Sequence, residues 1–267
     1  MARFRPFVAL PVLLLSTILI QPYSRAQTFN LLHTFTGGRD GAEPYAGLMI
    51  DRGGNLYGTA LGGGCGYGTV FKLTQKNGAW LLTLLYCFTG SNDGNAPVAR
   101  VVFGPDGSLY GTTQFGGGNG CAGNEGCGTV FRLRPPVGVC KASFCSWKEA
   151  VLYRFQGGSD GANPSYGDVV FDQAGNMYGT TRVGGGTGCG GNGCGVVYEL
   201  MPTGGGHWSE SIIYRFTSGQ DGAEPVGGVI VDSAGNLYGT SYAGGSFGGG
   251  TVFQLTHSGS GWVETTL

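Results

Sequence analysis

The segments "NLYGT", "SLYGT", "NMYGT" and "NLYGT" place Tyr57, Tyr110, Tyr178 and Tyr238 at steps of 53, 68 and 60 residues. No other feature constrains the fold as much. A unit recurring at this spacing is one supersecondary element that needs copies of itself beside it to bury its faces. The frame around each tyrosine repeats too. Each unit opens on an aromatic and a turn: "FTGGRDGAEP" at Phe35, "FTGSNDGNAP" at Phe88, "FQGGSDGANP" at Phe155 and "FTSGQDGAEP" at Phe216. An apolar run, a turn of the D-x-x-G-N type, the tyrosine segment and a glycine-rich loop follow. The unit then reads "GTVFKL", "GTVFRL", "GVVYEL" or "GTVFQL" and reaches Trp80, Trp147, Trp208 or Trp262.

The period within a unit is that of strands. "LMID" and "VIVD" are apolar runs of buried-strand length, and the tyrosine and "TVFKL" segments lie between Gly, Asp, Asn and Pro turns. The glycines leave no window for an amphipathic helix after the amino-terminal segment. Each unit therefore predicts four strands: a near "LMID", b at "NLYGT", c at "TVFKL", and d from the Trp to the next Phe. Four antiparallel strands repeated at this spacing predict an all-β protein, a β-propeller of about four four-stranded blades. The runner-up is a β-solenoid, whose coils are shorter and stricter than these units. "TFNLLHTF" (Thr28 to Phe35) also reads as a d strand and offers to close the ring by pairing with "GTVFQL" (Gly250 to Leu255), leaving "WVETTL" surplus. The other expectation is an incomplete array of a longer propeller.

Gly and Pro, 56 and 11 of 267 residues, make up about a quarter of the chain. Without a period that composition signals disorder. Here the period and a 41% hydrophobic content supply a core. A net charge of −1 with 12% charged residues leaves no basic stripe for phosphates, so nucleic acid is excluded as a partner. At the amino terminus Arg3 and Arg5 precede an apolar run from Phe7 to Ile20, with small residues before Gln27. That is a signal peptide over residues 1–26, too short for a membrane span. Residues 27–267 form the repeat domain, with units starting near 35, 88, 155 and 216, and no membrane span follows cleavage. A secreted or extracytoplasmic location is expected.

Eight cysteines fit an oxidising compartment. Cys121 and Cys127, Cys140 and Cys145, and Cys189 and Cys194 are close neighbours in sequence. Cys65 and Cys87 fall on the same face of one unit and form a plausible fourth bridge. Zinc is the rival reading, but these spacings are not two-residue knuckles.

The frame "DGA-x-P … D-x-x-GNLYGTT … GG … GTVF-x-L" resembles the GloVer tandem repeat, found in exported bacterial proteins with varied carboxy-terminal anchors. The resemblance covers Phe35 to Leu255. It implies export and a propeller-like fold, and it brings no activity with it. The chain departs from that pattern where it stops at "GWVETTL", without sorting signal or anchor.

Antiparallel connections alternate between two faces, so the d–a and b–c loops share one of them. Asp40, Asp93, Asp160 and Asp221 stand there once per unit. Four carboxylates around one mouth would suit Ca²⁺, while Asp-Gly turns account for them structurally. Asp51, Asp172 and Asp232 read as hairpin turn residues, with Gly104 at the matching place in the second unit. Recognition is sought where the units differ inside the constant frame. Gln114, Phe115, Arg182 and Tyr242 follow "YGT" on the loop face and would suit a sugar or peptide by stacking and hydrogen bonding. Arg100 and Asp168, at matching inner positions of adjacent units, are expected to pair. His33, His207 and His257 sit in no catalytic motif, and the glycine runs precede strands rather than helices, so a dinucleotide loop fails. The reading is an exported interaction or ligand-binding module with a polysaccharide or surface-protein partner and no required cofactor. The opposing reading is a propeller hydrolase or lactonase with channel carboxylates, Ca²⁺-dependent in one version.

Overall fold

A computed structural model describes residues 28–121, 123, 125–136, 147–259 and 261–267. The signal peptide and the Cys140–Cys145 pair expected from the sequence lie outside these residues. The chain divides into Met1–Leu31 and Leu32–Leu267, and every strand belongs to the second unit. No helix among the described residues is long and apolar enough to cross a membrane.

Among the described residues there are eighteen strands, sixteen of which build four antiparallel four-stranded sheets. The first holds β1 (Met49–Ile50), β2 (Leu56–Ala60), β3 (Thr69–Lys76) and β4 (Ala79–Cys87). The second holds β5 (Val102–Phe103), β6 (Leu109–Thr113), β7 (Thr129–Arg134) and β8 (Lys148–Arg154). A separate two-stranded ladder pairs β9 (Gly161–Ala162) with β12 (Val183–Gly184). The third sheet holds β10 (Val170–Phe171), β11 (Met177–Thr181), β13 (Val196–Gly204) and β14 (His207–Arg215). The fourth holds β15 (Val229–Val231), β16 (Leu237–Ser241), β17 (Thr251–Ser258) and β18 (Gly261–Thr266). In each sheet the strands follow chain order, so strands a to d stand where the repeat places them.

The glycine of each "YGT" has one job. Gly111 faces Phe131 across the ladder, and a Cβ there would fall 2.8 Å from the Phe131 ring. Phe71 and Phe253 lie the same way across Gly58 and Gly239. The bare glycine lets an aromatic ring cover the neighbouring strand. Tyr198 fills this place in the third sheet, opposite Gly179. Its ring is fully buried, and its hydroxyl meets no hydrogen-bond partner among the described residues. Burial, aided by the Glu210 charge, holds that phenol well above its usual ionisation range. An unpaired buried hydroxyl costs stability. Tyr198→Phe is therefore expected to gain about 1 kcal/mol, read as a higher urea midpoint. An unchanged or lower midpoint would show that the hydroxyl is satisfied.

Each sheet has a rear face toward its predecessor and a forward face toward its successor. The core is divided accordingly. One apolar cluster joins the first and second sheets through Tyr57, Val70, Leu109 and Phe131. A second joins sheets two and three through Tyr110, Val130, Met177 and Tyr198. A third joins sheets three and four through Tyr178, Val197, Leu237 and Phe253. All three junctions are built alike. A tryptophan of the later sheet lies edge-on to a tyrosine of the earlier one, 6.3 Å between centroids, in Trp147–Tyr57, Trp208–Tyr110 and Trp262–Tyr178. A proline of the later unit packs on a glycine of the earlier one. A Cβ on Gly128 would fall 2.6 Å from Pro164 Cδ, and Gly68 and Gly195 meet Pro97 and Pro225 in the same way. The residue before that proline donates its N–H to a loop carbonyl of the earlier unit: Ala96 to Tyr67 (3.1 Å), Asn163 to Cys127 (2.8 Å) and Glu224 to Cys194 (2.8 Å). Glu43, Ala96, Asn163 and Glu224 take φ between 54° and 58° at this position. Side chains adopt that backbone reluctantly.

Thr28–Phe35 is not a strand, contrary to the sequence reading. The outer edge of β17, where it would have paired, is taken by β18, so "WVETTL" is the fourth sheet's own d strand rather than surplus. Phe35 instead packs edge-on against Phe71, 5.1 Å between centroids. His207 and His257 belong to the c–d hairpin strands β14 and β17. Among the described residues no core cluster joins the fourth sheet to the first.

Candidate functional site

The d–a and b–c loops do share a face, and they hydrogen-bond to each other. Ala42 bridges Gly62, Asn95 bridges Phe115, β9 pairs β12, and Ala223 bridges Ala243. Disulfides fasten these loops. Cys121–Cys127 and Cys189–Cys194 close equivalent b–c loops, and Cys65–Cys87 ties the first b–c loop to the end of β4. The 22-residue separation of the last pair corresponds to about 3 kcal/mol of unfolded-chain entropy in the loop-closure account.

The loop aspartates are occupied by their own turns. Asp221, 9% exposed, accepts from Thr217 N (2.7 Å), Thr217 Oγ1 (2.8 Å), Gly219 N (3.0 Å) and Tyr214 Oη (3.2 Å). Asp93 and Asp160 accept from Tyr86 and Tyr153 likewise, and His33 replaces the tyrosine beside Asp40 at 3.1 Å. Hydrogen bonding by Thr36 leads the effects that lower Asp40 to about 2. The hairpin aspartates Asp51, Asp172 and Asp232 each accept from an asparagine four residues on and from the Tyr of strand b. Among the described residues no three His, Cys, Asp or Glu gather as metal ligands.

Arg100 and Asp168 meet as expected, with Nη2 2.6 Å and Nε 2.8 Å from Oδ2, and the Arg100 amide donates to Oδ1 at 3.0 Å. This pair ties the inner ends of the second and third sheets. It is half-exposed and satisfied, so it serves as a clasp.

The variable residues after "YGT" fall along one ridge of the loop face. Gln114 donates its amide to the Ala96 carbonyl (3.0 Å), and its own carbonyl accepts from Asn163 Nδ2 (3.0 Å). Arg182 donates its amide to the Asn163 carbonyl (3.1 Å) and its Nε to Glu224 Oε2 (2.9 Å). Tyr242 donates its amide to the Glu224 carbonyl (3.0 Å) and is 70% exposed. Phe115 is half-buried and stands apart, paired with Asn95. A cleft of about 420 Å³ opens on the ridge, lined by Cys121, Asn163, Arg182, Cys189, Asn192 and Glu224. A second, more open hollow of about 540 Å³ lies between the hairpins after β10 and β15, around Asp172 and Asp232.

Two features escaped sequence reasoning. Phe247, inside the fourth glycine loop, is fully exposed near Tyr242 in sequence. An aromatic alone in a glycine run was the available signal. The other is a set of acids inside the junctions. Burial, then the Asp93 charge, push Glu149 up to about 7, and burial with Asp160 does the same to Glu210. An Oε1 of each is buried without a partner among the described residues. An acid poised near neutrality beside a second carboxyl group is also a catalytic arrangement. Neither cleft reaches these pairs, so substrate has no path to them there.

No curated protein matches the chain. A family model described as the Gloeobacter/Verrucomicrobia repeat matches residues 19–190 and again 120–267, two overlapping spans that take in all four sheets. The chain belongs to the Gloeobacter/Verrucomicrobia repeat family.

Proposed function

We propose that this chain is an exported, non-catalytic binding module whose sheets are the blades of a β-propeller array, and that its loop face takes an oligosaccharide. The cleft beside Arg182 carries this reading. At about 420 Å³ it is of ligand size, and its walls are glycine backbone, two disulfides and polar side chains rather than an apolar pocket. Arg182, Glu224 and Asn163 supply both donors and acceptors, which a polyhydroxylated ligand uses at once. The disulfides hold the walls before a ligand arrives, which lowers the ordering cost of binding. Tyr242, whose amide bonds the carbonyl of the cleft residue Glu224, offers an exposed ring for stacking. The same disulfides and the family's bacterial origin support an extracytoplasmic site of action.

The test is thermal unfolding across a panel of soluble polysaccharides and their oligosaccharides. A ligand at a hundredfold excess over its Kd is expected to add about 2.7 kcal/mol to stability. Arg182→Ala should weaken that ligand at least about tenfold while leaving the unliganded Tm within about 2 °C, because Arg182 is exposed. Absence of any shift across the panel at millimolar sugar, or binding that ignores Arg182→Ala, would remove the glycan reading. A peptide or surface protein would then be the partner to pursue.

A further inference from the structure

We infer that the forward face of the fourth sheet binds the rear face of the first sheet of a second copy of this chain, head to tail. The observation behind this is the threefold repetition of one junction, every component of which is present but unmatched at the two outer faces. Tyr57, Tyr110 and Tyr178 each receive a tryptophan, whereas among the described residues Tyr238 on the fourth sheet receives none and Trp80 on the first meets no such tyrosine. Pro97, Pro164 and Pro225 are buried against glycines, while Pro44 is exposed and no proline among the described residues lies upon Gly250. The amides of Ala96, Asn163 and Glu224 find loop carbonyls. Among the described residues the Glu43 amide and the Gly249 carbonyl, the matching pair, find no backbone partner.

Apolar exposure follows the same boundary. Val70, Val130 and Val197 are fully buried on forward faces, but Val252 is 50% exposed, with Ile230 beside it at 69%. On rear faces Val101, Val169 and Val229 are buried, but Leu48 is 42% and Ile50 61% exposed. Each outer face therefore presents half of an interface whose other half the same molecule carries at its opposite end. The second copy is the occupant that satisfies the tyrosine, the glycine, the carbonyl and the apolar patch together. Such a contact is heterologous, and two copies are the smallest assembly in which contacts between copies cover every such face.

Sedimentation velocity on the protein with two surface variants tests this. Ile50→Asp spoils only the rear face and Ile230→Asp only the forward face. Both positions are exposed, so each variant is expected to unfold at the wild-type temperature within about 2 °C. The wild type is expected to sediment as two or more chains at micromolar concentration. Each variant alone should be monomeric, and an equal mixture should form a one-to-one pair through the intact forward face of Ile50→Asp and the intact rear face of Ile230→Asp. A monomeric wild type, a variant that still self-associates, or a mixture that fails to pair would each overturn the inference. A monomeric wild type would also be the result if a molecule covers its own outer faces by closing on itself.

Discussion

Between pH 5 and pH 8 the protein is expected to lose about 2–4 kcal/mol of stability through two side chains, Glu149 and Glu210. Both carboxyls sit between sheets, where burial first and then the neighbouring Asp93 or Asp160 raise them from an ordinary 4.5 to about 7. The folded state therefore holds their protons in a window where the unfolded chain has released them. Their stabilising contribution is complete below about 4.5 and is lost as pH rises through about 7. About 1–2 kcal/mol for each allows for their partial exposure. Glu264, at the same position in β18, is raised in the same direction by burial. The aspartates work the other way. Asp40, Asp51, Asp106 and Asp232 are lowered, so acid below about pH 4 removes the stability they supply. A maximum near pH 5 follows. Urea unfolding at pH 5, 6.5 and 8 measures it, and Glu149→Gln with Glu210→Gln should raise stability at pH 8 and flatten most of the slope. Equal midpoints at pH 5 and 8, or a slope that persists in the double variant, would show that these carboxyls titrate normally.

Asp221→Ala is expected to cost about 3 kcal/mol, or roughly 6–12 °C in Tm for a domain of this length. Four donors converge on this carboxylate, two of them backbone amides and one from Tyr214, the next-to-last residue of β14. Removing the acceptor unpairs four part-buried hydrogen bonds at once, and their combined loss sets the size of the effect. Asp221→Asn keeps one acceptor oxygen and should fall between. The same geometry sets the expected response to metal. Both oxygens are engaged by the turn, so EDTA and millimolar Ca²⁺ should leave the wild-type Tm unchanged within about 1 °C, because a ligand stabilises only by binding the folded state. A Ca²⁺-dependent rise that Asp221→Ala abolishes would replace the turn account with a cation site.

Much of this architecture was legible because the repeat supplies its own controls. Four copies of one frame separate what every sheet needs from what one sheet happens to carry. Strands a to d and the shared face of the loops both follow from that comparison. So does the pairing of Arg100 with Asp168, since opposite charges stand at one frame position in adjacent units. The ladder of β9 and β12 was not legible, because "GA" and "VG" carry no strand pattern and pair only through backbone brought together by the turn. Thr28–Phe35 misled for the opposite reason: it has the apolar content of a d strand, but pairing is settled by which c-strand edge is free, and β18 holds that edge. Glu149 and Glu210 were hidden because their character depends on the sheet behind them. In sequence they are single acids in alternating strands, and only the junction places Asp93 and Asp160 opposite. On the loop face, Arg182 and Tyr242 stood out as departures from the frame, whereas the partner Glu224 lies in a "DGAEP" turn that repeats Glu43 of the first unit and looked like part of the turn.

The likeness of the three junctions has a kinetic consequence. A chain whose contacts run only between neighbours in sequence has no single nucleus that must form first. Any adjacent pair of sheets can dock, and the rest can add to either side by the same step. The inner sheets gain from two neighbours and the outer ones from one, so unfolding begins at the ends and proceeds inward. β6 and β11, buried along their whole length, lie where that erosion arrives last, while β16, half-open in its middle, lies where it starts.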